Sequence, residues 1–215
     1  MDKLIQGIRH FQETVYEKKK TLYKELAKGQ KPKVLFISCS DSRVVPHLFT
    51  QTEPGDMFMV QNAGNIVPPH GSANGGVGAS IEYAVAVLNV EHIVVCGHSN
   101  CGAMNAIASN QNLDALPSVK HWISFAEATR AIVQTQDKGL SDDARLELCI
   151  EQNIPVQLDH LRTLPSVAAK LVQNKVTLHG WVYHIETGRI DVWNPENKAF
   201  QAFNDAYPEP AKASV

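Results

Sequence analysis

Several kinds of sequence feature are missing from this 215-residue chain. No stretch approaches the ~20 apolar residues that cross a bilayer, and the charged start does not resemble a secretory signal, so we expect no membrane span and no export. The net charge is only −2, which removes the electrostatic reason to bind nucleic acid or an anionic membrane. Four cysteines are too few for a disulfide scaffold, and we expect a cytoplasmic protein.

What is present suits an ordinary globular protein. Apolar residues make up 44% of the chain and charged residues 20%, and the length fits one domain. We expect a single domain over residues 1–215, with a helical arm at 1–30 and a loosely ordered tail at 204–215. In the arm, apolar residues recur at spacings of three, four and seven, which predicts an amphipathic helix over 2–28. Its apolar side needs cover from its own domain or from a partner.

The rest of the chain alternates strand and helix patterns. Short apolar runs at 34–37, 57–60 and 93–96 predict buried strands, and 75–90 has the periodicity of a helix. This order predicts an α/β fold with a central, mostly parallel sheet covered by helices on both faces.

The second half is predicted to be mostly helical from 118 to 172, with breaks near Gly139 and Pro155. Strands at 176–185 and 189–193 follow, and the short turn between them predicts a hairpin.

Two short polar segments carry the chemistry, and each directly follows an apolar strand. One is Cys39–Arg43, Cys-Ser-Asp-Ser-Arg, and the other is Gly97–Gly102, Gly-His-Ser-Asn-Cys-Gly. Because parallel strands end at the same edge of a sheet, the two segments should meet there. Cys39, His98 and Cys101 then form a Cys₂His set, which suits zinc and leaves a fourth coordination position open, as in catalytic zinc sites.

Asp41 is the nearest group that could fill this fourth position or accept a hydrogen bond from a water there. Arg43 could hold the Asp41 carboxylate in its ionised form. A structural Cys₂His-Asp zinc site fits the same pattern. Cysteines after apolar strands are also often plain buried residues, an interpretation that we assign to Cys96 and Cys149 and that stays open for the two motif cysteines. The pattern supports a metal site and does not name the substrate.

In these motifs the chain resembles the beta-class carbonic anhydrases, over about residues 30–194. The C-x-D-S-R and H-x-x-C segments of that family are both present, and further similar stretches lie at 53–56, 62–65, 81–85, 151–153 and 179–181. The resemblance implies zinc-dependent reversible hydration of carbon dioxide to bicarbonate and a proton through zinc-bound hydroxide, with one zinc per chain. It implies Cys39, His98 and Cys101 as ligands and Asp41 with Arg43 as the catalytic dyad, Asp41 being a possible fourth ligand in an inactive state.

The resemblance also implies a sheet with an antiparallel edge strand and a homodimer as the minimal unit, often within a tetramer or larger assembly. In such dimers the amino-terminal helix embraces the neighbouring subunit. Four residues match positions that bind the substrate, carbon dioxide or bicarbonate: Gln30, Phe58, Tyr83 and Gly102. In the plant-like branch, the residue at the position of Gln30 acts across the dimer interface. Gly102 would act through its backbone N–H.

One departure separates the chain from a second branch of the family, which has a non-catalytic bicarbonate site made of a Trp, an Arg and a Tyr. The corresponding residues here are Phe36, Gln61 and Tyr183. Phe36 cannot donate a hydrogen bond and Gln61 carries no charge, so we expect this site to be missing and Asp41 to be paired with Arg43.

Two other functions stay open from the sequence. A zinc enzyme on the same scaffold could act on a carbon dioxide analogue such as carbon disulfide. A non-catalytic zinc-binding protein would have four tight protein ligands and would not depend on Arg43. A dinucleotide-binding enzyme is disfavoured, because residues 38–43 carry no glycine fingerprint after the first strand.

Overall fold

The computed structural model describes residues 1–72 and 75–209 and contains one six-stranded sheet. Its strands are β1 Val34–Cys39, β2 Met57–Asn62, β3 His92–His98, β4 Thr177–Tyr183, β5 Ile190–Asn194 and β6 Ala199–Ala202. They lie in the order β2-β1-β3-β4-β5-β6. Strands β1 to β4 are parallel, and β5 is antiparallel to both of its neighbours. The predicted mostly parallel sheet and the predicted hairpin are confirmed, and β6, which was not predicted, lies outside β5.

Helices flank the sheet. They are α1 Asp2–His10, α2 Tyr16–Lys18, α3 Lys20–Leu26, α4 Pro46–Thr50, α5 Gly76–Glu82, α6 Gly102–Ala108, α7 Pro117–Ile123, α8 Glu127–Gln136, α9 Asp142–Thr163, α10 Pro165–Val172 and α11 Phe203–Ala206. Single π-helical turns follow α1 at Phe11–Val15 and α5 at Tyr83–Val87, and a 3-10 turn precedes α8 at Ser124–Ala126. Within the described residues, no helix is both long and apolar enough to cross a membrane.

Helices α1 to α3 form the predicted arm. They follow one another with a π-helical turn after α1 and the irregular residue Lys19 before α3. The apolar stripe of the arm includes Leu4, Ile8 and Phe11, whose exposed fractions are 65%, 59% and 38%. None of the residues of α1, α2 or α3 is buried. The chain therefore leaves the first half of this stripe exposed to solvent, whereas Val15, Leu22 and Leu26 in its second half are half-buried.

Helix α9 covers one face of the sheet over β3 and β4. Two glycines, Gly97 and Gly180, allow this close approach, because a Cβ atom on Gly97 would lie 3.2 Å from Ile154 Cδ1 and one on Gly180 would lie 3.2 Å from Leu158 Cδ1. Ile154 is fully buried and Leu158 is nearly so. The main core lies between this face and the helices α5, α6 and α9.

The opposite face is less covered than the sequence predicts. A smaller apolar cluster centred on Phe36, Val94 and Trp181 lies there, in contact with short elements such as α4 and α11 through Phe49 and Phe203. Beside it a mostly apolar groove of about 580 Å³ stays open. Helices therefore lie on both faces, as predicted, but those on this side, α4 and α11, have only five and four residues.

Two further details concern helix ends. The predicted break near Gly139 is confirmed between α8 and α9, whereas the predicted break near Pro155 is wrong, because Pro155 lies inside α9. Proline removes one N–H from the helical ladder. Burial of the neighbouring Ile154 and Leu158 against the sheet offsets this loss. Helix α11, Phe203–Ala206, extends into the predicted tail, which begins at residue 204, and residues 210–215 lie outside the described residues.

Candidate metal centre

The two polar segments meet at one edge of the sheet, as their positions after strands predict. Cys39 is the last residue of β1 and His98 the last residue of β3, and these strands are adjacent and parallel. Cys101 follows in the tight turn that leads into α6. All three side chains are buried, with His98 fully inaccessible to solvent.

The three ligand atoms lie close enough to share one ion. All lie within 4.8 Å of one another, and the Sγ atoms of Cys39 and Cys101 are 4.0 Å apart. Two sulfurs bound to zinc at about 2.3 Å in a tetrahedron would be about 3.8 Å apart. His98 Nδ1 donates a hydrogen bond to the Ser99 carbonyl at 2.9 Å, which leaves Nε2 as the lone-pair atom. Among the described residues, this buried Nε2 has no hydrogen-bond partner, so the residues fit a metal ion.

The cysteines differ in acidity for physical reasons. A hydrogen bond from Cys101 lowers the pKa of Cys39, against the effect of burial, with smaller contributions from His98 and the Gly64 N–H. The same hydrogen bond raises the pKa of Cys101. Burial alone raises the pKa of Cys149 to about 12. Burial is also the main cause that raises the pKa of Cys96 to about 12. The surroundings of Cys39 therefore stabilise a thiolate, whereas those of Cys96 and Cys149 suit neutral core residues.

Asp41 and Arg43 form a bidentate ion pair beside the ligands. Asp41 Oδ1 accepts hydrogen bonds from Arg43 Nε at 2.9 Å and from the Arg43 backbone N–H at 3.0 Å, and Oδ2 accepts from Nη2 at 2.8 Å. Nη2 also donates to the Asn100 carbonyl at 3.1 Å, which joins the two polar segments. Arg43 holds the pKa of Asp41 well below its usual range. The ionised Oδ2 lies 3.9 Å from His98 Nε2, next to the ligand atoms without replacing one of them.

The four predicted substrate residues do not gather at this edge within one chain. Gly102 follows Cys101 directly and begins α6, where an added Cβ would meet nothing within 4 Å. Phe58 and Tyr83 contact each other, with ring centroids 6.1 Å apart. Phe58 is paired with Leu35, however, four residues before Cys39. That offset is about 13 Å along the strand.

Gln30 is also far from the ligands of its own chain. It is exposed and precedes β1, whose far end carries Cys39. Strand β1 alone spans about 17 Å between these two ends. The catalytic, metal-binding and substrate-binding roles of all these residues stay predictions.

The positions of the second branch's bicarbonate site are occupied by other contacts. Phe36 is buried, and its ring lies 5.8 Å from that of Trp181 and 6.1 Å from that of Phe49. Tyr183 stacks on Phe49 at 4.6 Å. Gln61 donates a hydrogen bond from Nε2 to the carbonyl of the metal-site residue Cys39 at 3.3 Å.

One contact of the site was not predicted from the sequence. The backbone N–H of Gly64, in the loop after β2, donates a hydrogen bond to Cys39 Sγ at 3.3 Å. Gly64 has φ +80, and an added Cβ would lie 2.9 Å from Met104 Cε and 3.0 Å from Ala103 Cβ. The segment 62–65 was noted for its resemblance to a family, but a backbone donor leaves no signal in side-chain patterns.

Comparison with known proteins extends these observations. Residues 34–190 match the model of the family described as carbonic anhydrase. A carbonic anhydrase from Pseudomonas aeruginosa is 52% identical over 97% of this chain and 94% of its own length. The solved β-carbonic anhydrase CcaA is 42% identical, with a TM-score of 0.92 over 94% of this chain and 91% of its own. One of two tetrameric β-carbonic anhydrases from Sordaria macrospora is 26% identical, with a TM-score of 0.81 over 94% of this chain and 98% of its own.

Proposed function

Because the chain belongs to the β-class carbonic anhydrase family, we propose that it catalyses the zinc-dependent, reversible hydration of carbon dioxide to bicarbonate and a proton. The observation that carries this proposal is the group of three buried ligand atoms, with His98 Nε2 unpaired among the described residues, beside an ionised carboxylate. The zinc would be held by Cys39, His98 and Cys101, one ion per chain. When bound, zinc acts as a Lewis acid and lowers the pKa of water to near neutral.

The two thiolates set the pH range of the reaction. Together Cys39 and Cys101 cancel the formal charge of a divalent ion, so this ligand set should acidify water less than three neutral histidines do. We therefore propose that activity rises with pH on the alkaline side of neutrality.

Asp41 acts as a fixed hydrogen-bond acceptor. Its carboxylate, ionised and held at both oxygens by Arg43, would accept a hydrogen bond from the attacking oxygen and so direct a lone pair of that oxygen at carbon. The same ion pair restrains Asp41 from becoming a fourth ligand. This arrangement supports the proposal that a non-catalytic bicarbonate site is missing, as does the aromatic packing of Phe36.

The substrate pocket would be completed across a dimer interface. Gly102 would bind substrate oxygen through its backbone N–H from the same chain as the zinc. Gln30, Phe58 and Tyr83, which lie toward the other end of β1 and β2, would line the pocket of a neighbouring subunit. Their distance from the ligands of their own chain supports this assignment.

A homo-oligomer is the assembly that we propose, with a dimer as the minimal unit and a tetramer or larger as its usual form. Two exposed apolar surfaces need cover: the first half of the stripe of the arm and the open groove on the sheet. The relatives from Sordaria macrospora are tetrameric, which agrees with this proposal. Four unpaired, buried cysteines agree with a cytoplasmic location.

The test is stopped-flow hydration of carbon dioxide by protein of known zinc content, from about pH 6.5 to 9. We expect activity that follows zinc occupancy and rises with pH. The variant Cys39→Ser should lose both zinc and activity, whereas Cys149→Ala, at a buried cysteine outside the site, should keep both. Zinc-loaded protein with no hydration above buffer would refute the proposal, and carbon disulfide would then be the next substrate to assay.

A further inference from the structure

The segment 62–67 at the end of β2 is bound at three of its six residues by side chains from distant parts of the chain. Asn62 holds the N–H and the carbonyl of Ile66 through its own amide, at 2.8 and 3.0 Å. Four further side chains bind the loop backbone. Trp122 Nε1 donates to the Ala63 carbonyl at 2.8 Å, and Asn153 Nδ2 donates to the Gly64 carbonyl at 3.1 Å. At Val67, His160 Nδ1 donates to the carbonyl at 2.7 Å, and Gln157 Oε1 accepts from the N–H at 2.8 Å. A loop held at so many points has little freedom to move.

The Ala63–Gly64 peptide group lies between Trp122 and the metal site. Its carbonyl accepts the hydrogen bond from the Trp122 indole, and its N–H donates to Cys39 Sγ at 3.3 Å. Because the C=O and N–H of a planar trans peptide point in opposite directions, a donor fixed on the carbonyl also fixes the direction of the N–H. Hydrogen bonds in such a chain also polarise one another.

The next peptide group is held by a buried polar network. Asn153 binds the Gly64 carbonyl, and its Oδ1 accepts from Thr129 Oγ1 at 3.1 Å and from Gln157 Nε2 at 2.8 Å. Asn153, Thr129 and Gln157 are each at most 1% exposed. Breaking such a network leaves buried groups unpaired, which is costly, so its geometry is rigid. It supports the loop while Trp122 orients the peptide that reaches the sulfur.

We propose that Trp122 is a positioning residue, which holds the Gly64 N–H against the Cys39 thiolate and so lowers the electron density that this sulfur donates to the metal. A hydrogen bond to an ionised acceptor is stronger than one between neutral groups. Partners outside the ligand set that orient or polarise a ligand commonly change metal affinity by tenfold or more. The inference rests on the proposed function only in taking Cys39 as a metal ligand.

The experiment replaces zinc by Co²⁺ and records the thiolate-to-cobalt charge-transfer absorption of the full-length protein. In Trp122→Phe, Cys39 should donate more strongly, which moves this absorption to longer wavelength. Trp181→Phe is the matched control, since the Trp181 indole N–H has no hydrogen-bond partner among the described residues, and its cobalt spectrum should equal that of the wild type.

A second variant separates the hydrogen bond from the packing of the ring. Trp122 replaced by 3-benzothienylalanine keeps the two fused rings and loses only the N–H, and it should move the absorption as Trp122→Phe does. An absorption that stays at the wild-type wavelength in either variant overturns the inference, even if zinc affinity falls. A wild-type protein without any thiolate-to-cobalt absorption would instead refute the proposed metal site, so the two failures are distinguishable.

Discussion

Replacement of Arg43 by alanine should inactivate the enzyme by releasing Asp41. Asp41 Oδ2 lies 3.9 Å from His98 Nε2. Zinc held at about 2.1 Å from nitrogen and about 2.0 Å from a carboxylate oxygen would bring these two atoms to about 3.3 Å. Asp41 therefore needs to move only about half an ångström closer to His98 to become a fourth ligand, and the bidentate pair with Arg43 is what restrains it. We expect hydration activity at pH 7 to fall about 100-fold or more, with zinc retained.

The cause of this loss can be separated from a change in protonation. Without Arg43, the pKa of Asp41 should rise from its lowered value toward the usual value of about 3.9, which is still far below the assay pH. Asp41 thus stays ionised, and the loss should come from its position. Cobalt-loaded wild type should change its spectrum when thiocyanate is added, and Arg43→Ala should respond much less because the fourth position is occupied.

Arg130→Ala provides the matched control, because Arg130 forms a similar pair with Glu127 on the surface, away from the ligands. It should keep full activity and the thiocyanate response. Arg43→Lys keeps the charge and loses the bidentate geometry, so it should be intermediate. Near wild-type hydration by Arg43→Ala would refute the reasoning, and so would an unchanged thiocyanate response.

Three further outcomes are expected. Gly102→Pro removes the backbone N–H at the first position of α6, where proline is tolerated because the preceding Cys101 is extended, and it should raise KM; an unchanged KM would exclude substrate binding through this N–H. Ile8→Asp should shift light scattering toward smaller species, whereas Gln6→Asp, about 160° away around α1, should not; equal masses would contradict burial of the stripe. Bicarbonate should inhibit at pH 7 without cooperativity, and a steep cooperative loss of activity would contradict the absence of the second bicarbonate site.

The sequence alone predicted most of the elements and the three residues that the structure brings together as a possible metal site. Strands β1 and β3 contain continuous apolar runs, because they lie inside the parallel sheet and are buried, and such runs are visible without a structure. Cys39 and His98 directly follow two of these runs, so their meeting at one edge follows from the geometry of parallel strands. The error at Pro155 shows the limit of local signals, since the burial that sustains α9 depends on a sheet built from other segments.

Only the tertiary structure decided what surrounds the ligands. The Gly64 N–H that reaches Cys39 is a backbone group, present in every residue but proline. Trp122, which donates to the Ala63 carbonyl of the same peptide group, is 59 residues from Ala63. The offset of Phe58 from Cys39 likewise depends on the register between β1 and β2. Side-chain patterns record which residues are buried and which can bind a metal, because these properties belong to one residue and its near neighbours. Contacts between distant residues depend on how the whole chain packs, which no short stretch of sequence specifies.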